Sequence, residues 1–171
     1  MARDLFFRYR EYAEPVLRGC RLRIAHGDRL LLEGASGAGK SDFALRAICR
    51  PLQLPGETTT EPFRLVSDDQ TVLTISGNAV LATAPAPLRA LLEVRGIGLV
   101  NVPATAELPL ALVVDFTDAE MERMPDYPGP LANVLGHCFD LVQIAPFEAS
   151  APEKVALALA RSVKRRASHT A

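Results

Sequence analysis

Residues 34–41 read Gly-Ala-Ser-Gly-Ala-Gly-Lys-Ser, and no other stretch constrains the fold so strongly. The segment fits GxxxxGK[ST] in full. It follows the apolar run Arg29-Leu30-Leu31-Leu32 and precedes Phe43, Ala44, Ala47 and Ile48, which share one face of a helix. Strand, glycine loop and helix in that order predict a corner that cradles phosphate. Glycines let successive backbone N–H groups face an anion. Lys40 adds a point charge for the outer phosphates, Ser41 offers a hydroxyl to Mg²⁺, and the helix N-terminus adds its dipole. The candidate nucleotide-binding residues are therefore Gly34, Ala35, Ser36, Gly37, Ala38, Gly39, Lys40 and Ser41, with ATP the expected ligand. The plain alternative is an ordinary strand–turn–helix corner, and the motif alone does not say what is phosphorylated.

The 171 residues suit a single domain with a real core, and a hydrophobic content of 49 % is enough to fill one. A net charge of −1 argues against nucleic acid as the main partner. No apolar run is long enough to span a membrane, and the charged start MARDLFFRYREY does not read as a signal peptide, so a cytoplasmic location is expected. Cys20, Cys49 and Cys138 form no CxxC and are expected to be reduced and mostly buried. His26, His137 and His169 lack metal-ligand spacing; His137 beside Cys138 is a weak hint, outweighed by a structural role. The basic run RSVKRR reads as a helix end set against its dipole, with a frayed tail over 166–171.

Strands are expected at 16–24 and 29–33, a helix from Lys40 to Cys49, and an exposed loop over 50–62, which holds three prolines. FRLVS (63–67) reads as a short buried strand ending on Asp68 and Asp69. TVLTISGNAVLATA is a hairpin turning at Gly77–Asn78, and APLRALLEV a helical turn running into Glu93. GLVNV, LALVVDF and FDLVQIAP read as further strands. Ser150, a proline at the second helical position and Glu153 make a capping box for a final helix. The order predicts an α/β fold: a P-loop-containing mixed β-sheet domain with one helix after the glycine loop and one at the C-terminus.

Two acidic stretches are candidates for chemistry. A strand that ends in acid can deliver a carboxylate to Mg²⁺ or to an attacking group, although Asp also caps solvated turns. Adjacent acids on an extended chain point different ways, so Asp68 and Asp69 are expected to differ in role, one of them able to act as general base. In LLEVRGIGLVNV (91–102), Glu93 and Arg95 are expected on one side of an extended segment, and Gly96 and Gly98 to allow close backbone approach. Glu93 and Arg95 suit Mg²⁺ and a transferring phosphoryl group; a surface ion pair is the alternative.

Together, GASGAGKSDFAL, RLVSDDQ and LLEVRGIGLVNV resemble the catalytic domain of the HPr kinase/phosphorylase family, over about residues 16 to 165. The chain looks like the family's short, single-domain form. The resemblance implies use of ATP and Mg²⁺ to phosphorylate a serine of HPr, a small phosphocarrier of the sugar phosphotransferase system, and in many members reversal by phosphorolysis. It implies that Lys40 contacts the β/γ-phosphates and Ser41 binds Mg²⁺. By the same resemblance Asp69 is the catalytic base, Asp68 supports it, and Glu93 is the second Mg²⁺ contact. Arg95, Gly96 and Gly98 would shape the phosphoryl site, and a homo-oligomer is implied, hexameric in the family.

The chain departs from the family in three places. Gly19 stands where the family has a histidine, residues 50–62 lengthen a short connection, and IAPFEASAPEK (144–154) lacks an arginine used for phosphorolysis. Three rival readings follow: an ATP-binding sensor with weakened catalysis, a kinase for another acceptor, and an ABC-type ATPase. The last resembles only the N-terminal stretch, and the chain has no LSGGQ-like segment.

Overall fold

A computed structural model describes residues 16–17, 21–24, 28–33, 37–49, 51–52, 54 and 62–169. The strands are β1 (Val16–Leu17), β2 (Arg21–Ile24), β3 (Asp28–Glu33), β4 (Arg64–Leu65), β5 (Thr71–Ser76), β6 (Ala79–Thr83), β7 (Leu91–Val94), β8 (Gly98–Asn101), β9 (Leu108–Pro109), β10 (Leu112–Phe116), β11 (Leu131–Val134) and β12 (His137–Ile144). The helices are α1 (Lys40–Ile48) and α2 (Ala151–His169), with a 3₁₀ turn at Ala86–Leu88. They build a mixed α/β fold with three sheets rather than one.

The largest sheet runs β11-β12-β10-β3-β2-β4. Its centre is parallel: β10 pairs with β3 on one side and with β12 on the other, with Asp115 opposite both Glu33 and Gln143. The carboxyl ends of β3, β10 and β12 therefore lie side by side, the edge where open α/β sheets bind ligands. β10 is apolar on both faces because both are covered: Leu112, Val114 and Phe116 join the core beneath α1 and α2, while Val113 joins a second core with Leu73 of β5 and Val80 of β6. The face of α1 toward the first core is Phe43, Ala44, Ala47 and Ile48, the set its spacing predicts. Phe43 meets Phe116 with ring centroids 5.1 Å apart and planes tilted by 58°, a favourable aromatic geometry.

The four-stranded sheet, β1-β5-β6-β9, contains the predicted hairpin, with Ser76 opposite Ala79 across Gly77–Asn78. The segment 16–24, expected as one strand, is divided: β1 pairs with β5 in this sheet and β2 with β3 in the other. Glu93 lies on an extended strand, as expected, and the helical turn expected to run into it is shorter, a 3₁₀ turn that stops at Leu88 before β7 pairs with β8. The 50–62 connection is not simply exposed, since Leu52 and Leu54 are buried in the main core. Most of it, with Gly19, Cys20 and His26, lies outside the described residues.

At the C-terminus α2 runs to His169, so residues 166–169 of the expected tail are helical, and 170–171 lie outside the described residues. Its basic residues do more than face a dipole. Arg165 pairs with Asp140 of β12, and Arg166 donates to the Cys138 carbonyl at 3.2 Å with its guanidinium 4.8 Å from the Phe139 ring centroid. Burial, and then the neighbouring Arg165 charge, lower the pKa of Arg166. Cys49 and Cys138 are free but exposed, against the expectation of burial: Cys49 follows the last turn of α1, and Cys138 lies on the outer part of β12. Among the described residues no helix is long and apolar enough to cross a membrane.

Candidate functional site

The glycine loop leaves β3 at Glu33 and enters α1 at Lys40. Gly34, Ala35 and Ser36 lie outside the described residues; Gly37, Ala38 and Gly39 form the turn before the helix. Gly39 caps α1 in the left-handed region, with φ 87° and ψ 11°, and its carbonyl accepts the Phe43 N–H at 2.9 Å. A β-carbon built on Gly39 would come 2.9 Å from Phe147 Cζ and 3.2 Å from Pro146 Cβ. Only glycine suits both the torsion and the contact. Lys40 is 8 % exposed, an unusual degree of burial for an ammonium group. Ser41 is half-buried in the first turn.

The acidic stretch departs from the sheet after β4. Phe63, Leu65 and Val66 are buried, and Ser67 is buried too, its Oγ donating to the Gln70 carbonyl within a tight turn. The turn separates the two acids: Asp68 is only 8 % exposed, whereas Asp69 is open to solvent. Asp68 Oδ2 accepts the backbone N–H of Glu93 at 2.8 Å, a charge-assisted bond that pins the acidic turn to β7. Backbone bonds reinforce the junction, with Leu65 N–H donating to Pro103 O at 2.9 Å and Thr105 N–H to Leu65 O at 2.8 Å. β7 also packs on α1, so the helix that opens at Lys40 and the strand that carries Glu93 are neighbours.

β7 and β8 form a two-stranded ribbon with Leu91 opposite Asn101 and Val94 opposite Gly98. Alternation along an extended segment stops at Val94. Arg95 therefore sits in the turn, closed by Ile97 N–H on Val94 O at 2.9 Å, and does not share a strand face with Glu93. Both side chains are exposed and they form no ion pair with each other. Gly96 and Gly98 were expected to admit close backbone approach, yet a β-carbon on either would meet open space. Their reason is torsional: φ values of 82° and 104° are costly for any residue with a side chain. Ile97 and Leu99 beside them are 76 % and 65 % exposed.

One participant was not legible in the sequence. The loop after β12 brings Pro146 and Phe147 onto Gly39, and Arg46 of α1 holds it by donating to the Pro146 and Glu148 carbonyls. These residues are about a hundred positions apart, so no local spacing announces them. His137 shows no such assembly: among the described residues no group of three or more His, Cys, Asp or Glu side chains could hold a metal ion.

Comparisons with known proteins place the chain in a family. Residues 14–107 match the family model of the HPr serine kinase C-terminal domain. The HPr kinase/phosphorylase of Exiguobacterium sibiricum is 37 % identical over 78 residues, which is 45 % of this chain and 22 % of that protein. The Leptothrix cholodnii HPr kinase/phosphorylase is 35 % identical over 111 residues, covering 58 % and 31 %. The chain thus matches between a fifth and a third of the length of these relatives. In three dimensions it is similar to the Hpr(Ser) kinase/phosphatase from Coxiella burnetii, with a TM-score of 0.67, 21 % identity, and coverage of 90 % of this chain and 98 % of that one.

Proposed function

This chain belongs to the HPr serine kinase C-terminal domain family, and from that premise we propose that it is an ATP- and Mg²⁺-dependent phosphotransferase whose acceptor is a serine of an HPr-like phosphocarrier protein. A cytoplasmic homo-oligomer is part of the same reading. The observation that carries it is the 2.8 Å bond from Glu93 N–H to Asp68 Oδ2. It ties the acidic turn to the strand of the signature segment, next to the helix that begins at Lys40. Two of the stretches that resemble the family in sequence are thus joined directly, and α1 of the third packs on β7.

In this reading the serine hydroxyl lies between Asp69 and the γ-phosphate. Asp69, exposed and unhindered, accepts its proton as the serine oxygen bonds to phosphorus and the bond to the bridging β,γ-oxygen breaks, leaving ADP. Lys40 and the loop amides from Gly34 to Ser41 stabilise charge on the phosphates. Asp68 acts through position, holding the turn so that Asp69 faces outward. Arg95 and Glu93 border the phosphoryl site from the ribbon. The Ser41 hydroxyl and Glu93 carboxylate are hard oxygen donors, too few for a protein cage but suited to Mg²⁺, which takes its remaining ligands from phosphates and water. When bound, Mg²⁺ would neutralise charge on the transferring group.

Gly19, in place of the family's histidine, favours a second reading: an ATP-binding sensor with weakened transfer. The two separate in one assay with radiolabelled ATP, Mg²⁺ and purified HPr, run beside Asp69→Asn. Label on HPr that disappears in the variant supports the kinase and its base. Tight ATP binding without label on HPr supports the sensor or another acceptor, and the phosphorolysis question lapses with it.

A further inference from the structure

Phe147 is the least explained side chain near the glycine loop. It is 66 % exposed, yet the part that is covered lies against Gly39, where a β-carbon would be 2.9 Å from Cζ and 3.1 Å from Cε1. An exposed aromatic ring offers a flat apolar face on which another ring can stack. Its backbone is firmly held. Arg46 donates to the carbonyls on either side of it, at Pro146 and Glu148, and Glu148 N–H donates to Ala145 O at 3.3 Å. Arg46 is itself fixed by Asp42 at 2.9 Å one helical turn away. The backbone that carries the ring is thus tied to α1.

Its place in the fold identifies the occupant. The loop follows β12, whose carboxyl end lies beside those of β10 and β3, and β3 feeds the glycine loop. A nucleotide whose phosphates rest on residues 37–41 lies along that edge, outside the carboxyl ends of the strands. Phe147 is the exposed aromatic residue there among the described residues. We infer that Phe147 is the stacking platform for the purine base of the nucleotide. The inference rests on the nucleotide-binding reading above and adds the recognition of the base to it. Base stacking on an aromatic ring is a sequence-tolerant contact whose loss weakens binding by about tenfold.

The chain contains no tryptophan, so Phe147→Trp introduces a single fluorescent reporter at the site. Titration of that variant with Mg-ATP and, separately, with Mg-tripolyphosphate separates base from phosphate. Stacking predicts quenching of the introduced indole's emission by ATP with little change on tripolyphosphate. In parallel, Phe147→Ala, checked for folding by circular dichroism, should bind ATP about tenfold more weakly and tripolyphosphate unchanged. Equal losses for both ligands would make Phe147 a mere prop for Gly39 and overturn the inference, as would no loss for either. If the unaltered protein binds neither ligand, the nucleotide-binding reading itself fails and the platform falls with it. Binding of tripolyphosphate without any advantage for ATP would sink the platform alone.

Discussion

Removing the Asp68 carboxylate should loosen the junction between the acidic turn and the signature ribbon. Asp68 is 8 % exposed and accepts the Glu93 N–H at 2.8 Å. A hydrogen bond to a charged acceptor contributes about 1.5–3 kcal/mol, and truncation also strands the amide. Asp68→Ala is thus expected to cost about 2 kcal/mol, which for a domain of this size lowers Tm by about 4–8 °C. Asp68→Asn keeps an oxygen acceptor without the charge and should lose about half as much. Thermal unfolding by circular dichroism gives the ordering. Hydrogen exchange locates it: the Glu93 amide should exchange about 30-fold faster in Asp68→Ala, the ratio that 2 kcal/mol implies. An unchanged Tm together with an unchanged Glu93 exchange rate would refute the reasoning, because the bond would then hold nothing.

Asp69→Asn should abolish transfer to HPr while moving Tm by no more than about 1 °C, since the side chain is exposed; retained transfer would remove the base assignment. Lys40→Ala should weaken ATP binding by on the order of 10–100-fold in a calorimetric titration, and unchanged affinity would count against the glycine-loop assignment. Gly39→Ala places a β-carbon at φ 87° against Phe147 and should lower Tm by about 2–8 °C from the torsion alone. Adding Phe147→Ala should recover only the part due to the clash, a partition that a double-mutant cycle reads directly. Arg166→Lys keeps the charge but loses the planar stack on Phe139, and should lower Tm by about 1–4 °C in a thermal melt.

Local features were the legible ones. The buried face of α1, the turn at Gly77–Asn78 and the opposite exposure of Asp68 and Asp69 follow from periodicities of a few residues, which the sequence displays directly. What needed a partner was hidden. The stretch 16–24 looks like one strand because nothing local reveals that β5 takes one end and β3 the other. Arg95 looks extended until the pairing of Val94 with Gly98 turns it into a loop residue. Leu52 and Leu54 stand among prolines and polar residues that suggest solvent, yet a core formed by distant elements covers them. Phe147 is a surface phenylalanine in sequence, and it acquires meaning only when Arg46 brings its loop to Gly39. The family resemblance drew together stretches distant in the chain, and two of them, the acidic turn and β7, meet through the Asp68–Glu93 bond.

The position of β10 between β3 and β12 also governs how the chain is born. During synthesis β3 finds β2 on one flank, but its other flank has no partner until Leu112–Phe116 has left the ribosome. At roughly 5–20 residues per second, that leaves an apolar strand edge bare for several seconds. Non-local parallel pairing of this kind is slow to close and prone to adhesion meanwhile. The nascent chain should accordingly rely on holdases more than a hairpin-built domain of equal length, and fragments ending before residue 112 should accumulate as aggregates.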